Sequence, residues 1–249
     1  LGEYDYLVHF AAESHVDNSI TNGKPFIRTN VEGTFNLLEC AKQNKSLKKF
    51  IHISTDEVYG DMDDPKHYSV LGIKKKADEN DSLEGSSYYS ATKASSDLLV
   101  LAAHRTFGLP YIITRTCNNY GSHQHKEKFL PTIIRSIKEG KEIPVYGDGK
   151  NVREWINVKD NVQQLYSLML SDLTNEIFNI GTGETYTNLD IVGMIGIIMK
   201  KPVKFKFVKD RLGHDRRYAL NSNKLNEYSF VNEYKTLTDF LKEEVKKLK

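Results

Sequence analysis

The residues with most chemistry to offer stand in the stretch Ser54-Thr55-Asp56-Glu57-Val58-Tyr59-Gly60. Two adjacent carboxylates, Asp56 and Glu57, follow a short apolar run from Phe50 to Ile53 that reads as a buried strand. In open α/β sheets ligands bind at the C-terminal ends of the strands. Neighbouring side chains on an extended segment point opposite ways. Asp56 and Glu57 are therefore expected to address two atoms of one substrate, as a general acid and a general base must. By itself an Asp-Glu pair is more often a solvated turn. Tyr89 and Lys93 add to it, since on a helix that spacing puts both on one face. An ammonium beside a phenol favours the phenolate, a base able to take the proton of a hydroxyl whose carbon gives up hydride. That spacing is also common by chance, and a purely structural helix face is the plainer reading.

These side chains need elements to hold them. Tyr4 to Phe10 reads as a strand running into Ala11-Ala12-Glu13-Ser14-His15, where small residues allow close approach of a ligand or simply make a tight turn. A helix is expected from about Pro25 to Gln43, with Phe26, Ile27, Val31, Phe35, Leu38 and Cys40 on its apolar face and Asn30 on the opposite one. Residues 61–84 are polar and read as a long surface loop, a lid or an oligomer contact. The Tyr89 helix should end near Phe107. A strand from Tyr111 to Arg115 then delivers Asn118 and Asn119, which either bond ligand hydroxyls and phosphates or cap the turn.

Further on, helices are expected near 126–139, 160–170 with an Asp160 cap, 188–199 and 237–248. Strands are expected near 143–146, 153–158, 176–180 and 203–208. Arg153 suits a bidentate phosphate contact or an ordinary ion pair. Arg211 to Arg217 is a dense charged loop attractive to a pyrophosphate. His123 and His125 lack a third ligand, so no metal site is expected. Strands alternating with helices indicate an α/β fold with a mainly parallel, doubly wound sheet, and with a smaller second lobe interleaved C-terminally.

Bulk properties narrow the function classes. The chain has 249 residues, 39% hydrophobic and 27% charged, with a net charge of +2. That balance makes no electrostatic case for nucleic acid or a membrane surface, and no apolar run reaches transmembrane length. Cys40 and Cys117 suggest neither a disulfide framework nor zinc, and both are expected as small core residues. No signal peptide is visible, and a cytoplasmic location is expected.

Six segments, in order, carry a resemblance: His9 to Asp17, Ser54 to Gly60, Tyr89 to Asp97, Asn118-Asn119-Tyr120-Gly121, Pro144 to Gly149, and Gly213-His214-Asp215-Arg216-Arg217. Together they resemble the extended short-chain dehydrogenase/reductase family, and within it the nucleotide-sugar 4,6-dehydratases. The resemblance implies a Rossmann-like NAD-binding domain at 1–117, with 150–183 returning to it, and a substrate-binding lobe at 118–149 and 184–249. It implies NAD as cofactor, a nucleotide-sugar substrate and a homodimer.

The roles it implies are specific. Tyr89, assisted by Lys93, would deprotonate the C4 hydroxyl as NAD takes the C4 hydride. Glu57 would remove the C5 proton, Asp56 would protonate the leaving C6 hydroxyl, and hydride would return to C6. Thr55 would bond the sugar O4. Ser14, Asn118, Lys128, Tyr146, Arg153, Asn188 and His214 match substrate contacts. Ala11, Ala12, Asn119, Tyr89 and Lys93 match the cofactor side, with Thr29 or Asn30 as a weaker candidate. A Gly-rich pyrophosphate loop is not in the sequence, so roughly 60–80 residues, about two βα units, are expected ahead of Leu1. Ser122-His123-Gln124-His125 and Leu212 depart from the family pattern and leave base and sugar specificity open. dTDP-glucose is the substrate the resemblance favours, with UDP-glucose as the alternative. An epimerase, or a non-catalytic dinucleotide sensor, would have no use for an elimination pair.

Overall fold

A computed structural model of the protein describes residues 2–228 and 234–247. The first half of the chain contains β1 (Tyr6–His9), α1 (Val16–Thr21), α2 (Lys24–Phe26), α3 (Gly33–Lys42), β2 (Lys49–Thr55), α4 (Tyr88–Phe107), β3 (Tyr111–Thr116) and β4 (Asn118–Tyr120). The second half contains α5 (Phe129–Glu139), β5 (Ile143–Tyr146), β6 (Val152–Asn157), α6 (Val158–Leu170), β7 (Glu176–Ile180), β8 (Thr185–Thr187), α7 (Asn188–Met199), β9 (Phe205–Val208), α8 (Asn223–Asn226) and α9 (Leu237–Lys246).

The main sheet has the order β1-β2-β3-β7, every pair parallel. Parallel neighbours need crossover connections, and helices supply them. Because successive strand residues face opposite ways, β2 and β3 feed two cores. Phe50, Tyr111 and Ile113 pack with Leu38 and Val100 of α3 and α4. Ile51 and Ile112 pack with Leu165 and Leu168 of α6 on the other face. Helices on both faces make the sheet doubly wound, as expected. Among the described residues the outer edge of β1 is unpaired, with Val8 and Phe10 exposed beside it. A third core joins α5, α7 and α9 around Ile133, Trp155, Ile195 and Leu241, and forms the second lobe.

Two segments sit elsewhere than expected. β6 does not return to the main sheet; it pairs with β4 in parallel and with β8 antiparallel, so Trp155 faces the lobe core while Ile156 faces the main one. Within 184–249, Leu220 and Leu225 leave the lobe and pack in the main core.

Local chemistry sets the helix ends. Ser87 and Ser90 form a reciprocal capping box at α4, which stops at Gly108 with φ 70°. Thr187 and Asp190 do the same for α7. The α6 cap is Asn157, not the expected Asp160, because Asn157 is the residue whose extended backbone lets its side chain reach the Lys159 N–H.

The helix from Lys24 to Lys42 passes through a widened π turn at Ile27–Glu32. Its buried stripe is Phe26, Asn30, Thr34, Leu38 and Ala41, so Asn30 faces inward, while Ile27, Phe35 and Cys40 are exposed. Here polar partners across the interface, His9 and Thr92, outweighed apolar periodicity.

Residues 61–84 are less of a surface loop than their composition implies. Met62 and Ala77 are buried. The Asp61 carboxylate accepts the Arg216 and Arg217 N–H groups at 2.9 and 3.0 Å. Residues 69–74 stand out in solvent, with Val70 and Leu71 fully or nearly fully exposed. No helix among the described residues is long and apolar enough to cross a membrane.

Candidate active site

The strand ends at the top of the main sheet enclose two adjoining cavities. One, of about 390 Å³, lies over β1, β2 and β3 and is lined by Ala12, Ser54, Thr55, Asp56, Tyr89, Lys93 and Asn119 among others. The other, of about 330 Å³, opens toward the lobe and is lined by Tyr146, Arg153, Asn188, Arg211 and His214 among others. Ser14, Glu57, Asn118 and Lys128 belong to the walls of both. A larger cleft of about 640 Å³ between α5 and α9 contains none of the expected site residues.

Asp56 and Glu57 reach the cavity by a different geometry from the one expected. They are not extended: residues Asp56–Tyr59 form a 3₁₀ turn capped by Thr55. A turn of three residues splays adjacent side chains by about 120°, and only Glu57 reaches both cavities. The Thr55 hydroxyl donates to Asp56 Oδ1 at 3.1 Å, while Asp56 Oδ2 is buried with no hydrogen-bond partner among the described residues. Burial, reinforced by Glu57 and Glu154, pushes the Asp56 carboxyl well above the usual carboxylate range. Burial also raises Glu57, against the pull of Arg153 and Arg211.

Tyr89 and Lys93 share the cavity wall, but the ammonium is not spent on the phenol. Lys93 Nζ donates to the Ile53 carbonyl at 2.7 Å and stands 3.5 Å from His52 Nε2. The expected lowering of Tyr89 is absent from this state. Burial and then Glu57 push the phenol above its ordinary value, with a hydrogen bond to Thr55 opposing. Lys93 is itself pushed down to about 8 by burial.

The remaining site residues divide by surroundings. Lys128 Nζ donates to the Ser14 carbonyl at 3.2 Å, tying the β1 loop to the start of α5. Arg153 stacks 4.2 Å from the Tyr218 ring centroid and donates to the Asp215 carbonyl at 3.0 Å. His214 bonds Asp210 at 2.6 Å and meets the Tyr146 ring edge-on at 6.1 Å. Asn188 opens α7, directly after its Thr187 cap. Asn119 Nδ2 donates to the Cys117 carbonyl at 3.1 Å, and its Oδ1 accepts from Asn161 at 2.8 Å.

Ala11 is exposed and does not line the cavity, whereas Ala12 does. Asn30 lines neither cavity. Its amide accepts the Glu13 N–H at 2.8 Å and donates to the Glu13 carbonyl and Thr92, so it fixes the Ala11–His15 loop to α4. Of the charged loop, Arg211 lines the lobe cavity, but Arg216 pairs with Asp148 and Arg217 donates to backbone carbonyls away from it.

Sequence reasoning missed Tyr218. It is nearly fully buried, and its hydroxyl stands 2.7 Å from Asp215 and 3.4 Å from Glu57. Its place directly after Arg217, in a segment already singled out, was the available signal.

The first cavity suits the nicotinamide half of a dinucleotide. Ser54 Oγ and Asp56 Oδ2 are buried polar atoms with no partner among the described residues, and Ala12 leaves room beside the Tyr89 hydroxyl and the Lys93 ammonium. Among the described residues no metal cluster of three or more ligating side chains occurs.

Comparison with known proteins shows which family the chain resembles over its length. A model of the NAD dependent epimerase/dehydratase family matches residues 2–181. The low-salt glycan biosynthesis protein Agl12 of Haloferax volcanii is 42% identical over 247 residues, covering 96% of this chain and 76% of the relative. The dTDP-glucose 4,6-dehydratase of Haemophilus influenzae is 43% identical over 243 residues, covering 89% of this chain and 69% of the relative. Among solved structures, DesIV, a dTDP-glucose 4,6-dehydratase of Streptomyces venezuelae crystallised with NAD bound, superposes with a TM-score of 0.89 at 39% identity. That match covers 97% of this chain and 72% of DesIV.

Proposed function

Since the chain belongs to the NAD dependent epimerase/dehydratase family, we propose that it is an NAD-dependent hydro-lyase converting dTDP-glucose to its 4-keto-6-deoxy derivative and water. The observation that carries this reading is the carboxyl pair Asp56 and Glu57 in the wall that also holds Tyr89 and Lys93. A simple 4-epimerase needs the Tyr and Lys but no acid and base for elimination.

Tyr89 is the acceptor of the C4 hydroxyl proton, and Thr55, in contact with this phenol, turns its hydroxyl from Asp56 to the reacting oxygen. Ala12, Ser54, Lys93 and Asn119 would hold NAD, which when bound would supply the hydride acceptor for C4 and the hydride donor for C6. A ketone at C4 acidifies the C5 proton; Glu57 takes it and gives a proton back to C5 once C6 is reduced. Its raised affinity for a proton suits a base working near neutrality. Asp56, still more strongly raised, retains its proton and gives it to the departing C6 oxygen. Lys128, Arg153, Arg211 and His214 offer the lobe cavity's donors to the diphosphate, with Tyr146 and Asn188 beside them. Exposed Phe35, Leu98 and Phe107 on α3 and α4, two helices packed together, favour a homodimer through that face.

The test is direct. The full-length protein is incubated separately with dTDP-glucose and UDP-glucose, and product is followed by mass for loss of one water. Turnover of dTDP-glucose alone is expected. Turnover of UDP-glucose alone would move the substrate, and epimerised sugar without water loss would overturn the dehydratase reading.

A further inference from the structure

Beneath the proposed site lies a buried charged cluster that the chemistry above does not use. Arg115 Nε donates to Asp97 Oδ2 at 3.0 Å, with the two side chains 2% and 0% exposed. Arg115 spends Nη1 on the Tyr59 hydroxyl at 2.8 Å and the Glu79 carbonyl at 3.0 Å. Asp97 is thereby fixed on one side only. Its other oxygen, Oδ1, faces His52 Nε2 at 3.4 Å and has no hydrogen-bond partner among the described residues. The same Nε2 stands 3.5 Å from Lys93 Nζ. Lys93 and Asp97 leave one face of α4 a single turn apart, and both approach His52 Nε2, the nitrogen that also bonds Ser96 Oγ at 3.0 Å.

A structural ion pair would need Asp97 and Arg115 alone. Nothing in that role calls for the second oxygen to be turned toward the same imidazole nitrogen that the Lys93 ammonium approaches. Buried pairs of this kind are also weak contributors to stability, since apolar replacements often serve as well. Lys93, by contrast, needs an anion. An ammonium that is 4% exposed loses hydration and is driven toward its neutral form, which gives Tyr89 no electrostatic help. The groups facing it are Tyr89 and Asp97 on α4, His52 on β2 and His9 on β1, with Arg115 on β3 behind Asp97 and with Asp56 and Glu57 beyond Tyr89. His9 and His52 are held neutral, both pushed down to about 4 chiefly by burial. Burial is also the largest influence on Lys93, and Asp97 is what opposes it.

We propose that Asp97, clamped by Arg115, is a positioning residue for Lys93: it supplies, across one turn of α4, the buried negative charge that keeps Lys93 a cation. This rests on the reading of Lys93 as the partner of Tyr89, but its test does not depend on turnover.

The test follows the titration of Lys93 Nζ by NMR in the full-length protein carrying isotope-labelled lysine, without substrate. Asp97→Asn is expected to lower the Lys93 midpoint by about one pH unit or more. Arg115→Met breaks the same buried pair but keeps the carboxylate, so its midpoint is expected at or above that of the unmodified protein. If Asp97→Asn alone does not fold, Asp97→Asn added to Arg115→Met removes both charges, and its midpoint is expected below that of Arg115→Met. An unmoved midpoint on loss of the carboxylate, or an equal fall in Arg115→Met, overturns the proposal. Failure of the dehydration assay would leave this titration, and the role it assigns to Asp97, unchanged.

Discussion

The Tyr218 hydroxyl stands 3.4 Å from Glu57 Oε2 and 2.7 Å from Asp215 Oδ2, within donating distance of both carboxylates. One phenol thus ties the base proposed for C5 to a carboxylate that Ser86 fixes from the other side at 2.6 Å. Tyr218→Phe removes that tie without opening a large cavity. A hydrogen bond to a charged group contributes roughly 1.5–3 kcal/mol, so the elimination step is expected to slow by about 10- to 100-fold. Single-turnover kinetics should show this with KM little changed; an unaltered rate would leave Tyr218 a packing residue.

Glu57→Gln is expected to abolish water loss while still allowing slow reduction of enzyme-bound NAD by substrate. Tyr89→Phe should block that first oxidation and leave substrate binding largely intact. Absorbance of reduced cofactor separates the two. In the unmodified enzyme the burial of Glu57 places the acid limb of elimination above the ordinary glutamate value of 4.5, so rate should fall with falling pH well before that point.

His52 gives the stability of the protein a pH dependence of definite sign. Its folded-state value is lowered from 6.5 to about 4 by burial. The unfolded chain therefore binds the extra proton first, and stability is complete above about pH 6.5 and is lost as pH falls toward 4. By the linkage constant this amounts to roughly 3 kcal/mol. Thermal melts across that window should decline steeply, and His52→Gln should flatten the decline. An equally steep decline in the variant would assign it to other groups.

Gly60 closes the 3₁₀ turn that carries Asp56 and Glu57. Its φ of 75° and ψ of −157° lie in a region that glycine alone occupies freely, and a Cβ there would collide with the Glu84 carbonyl oxygen. Gly60→Ala is expected to destabilise the protein by about 1–3 kcal/mol and to lower turnover by displacing the pair. Denaturant unfolding and kcat together check this; a stable, fully active variant would show that the turn tolerates another conformation.

Leu98 on α4 is 57% exposed on the face assigned to the dimer. Leu98→Arg should leave the fold intact and shift the protein to monomers in sedimentation velocity. An unchanged oligomer would move the interface elsewhere.

Much of the fold was legible because local chemistry and burial agreed. β7 and α7 occur where the sequence predicts them, at Glu176–Ile180 and Asn188–Met199. Their apolar residues and the Thr187–Asp190 cap all favour the same conformation. The helix carrying Asn30 departs from expectation for the opposite reason. Its inward stripe is partly polar, and only the positions of His9, Glu13 and Thr92 explain why Asn30 and Thr34 are buried while Phe35 is not. The α6 cap lies at Asn157 because capping depends on backbone angle as well as residue type.

By itself the sequence determined the α/β class, the strands and helices of the main sheet, and the identity of Asp56, Glu57, Tyr89 and Lys93 as the residues with chemistry to offer. These follow from residue type and spacing along one chain. Tertiary structure alone decided that Glu57 stands where two cavities meet and that Lys93 bonds Ile53 rather than Tyr89. It alone brought Tyr218 to Glu57 and Asp97 to His52, across long stretches of chain. Burial and contact between distant segments raise or lower the proton affinity of each group, and those depend on which elements pack together, a property that no single stretch of sequence contains.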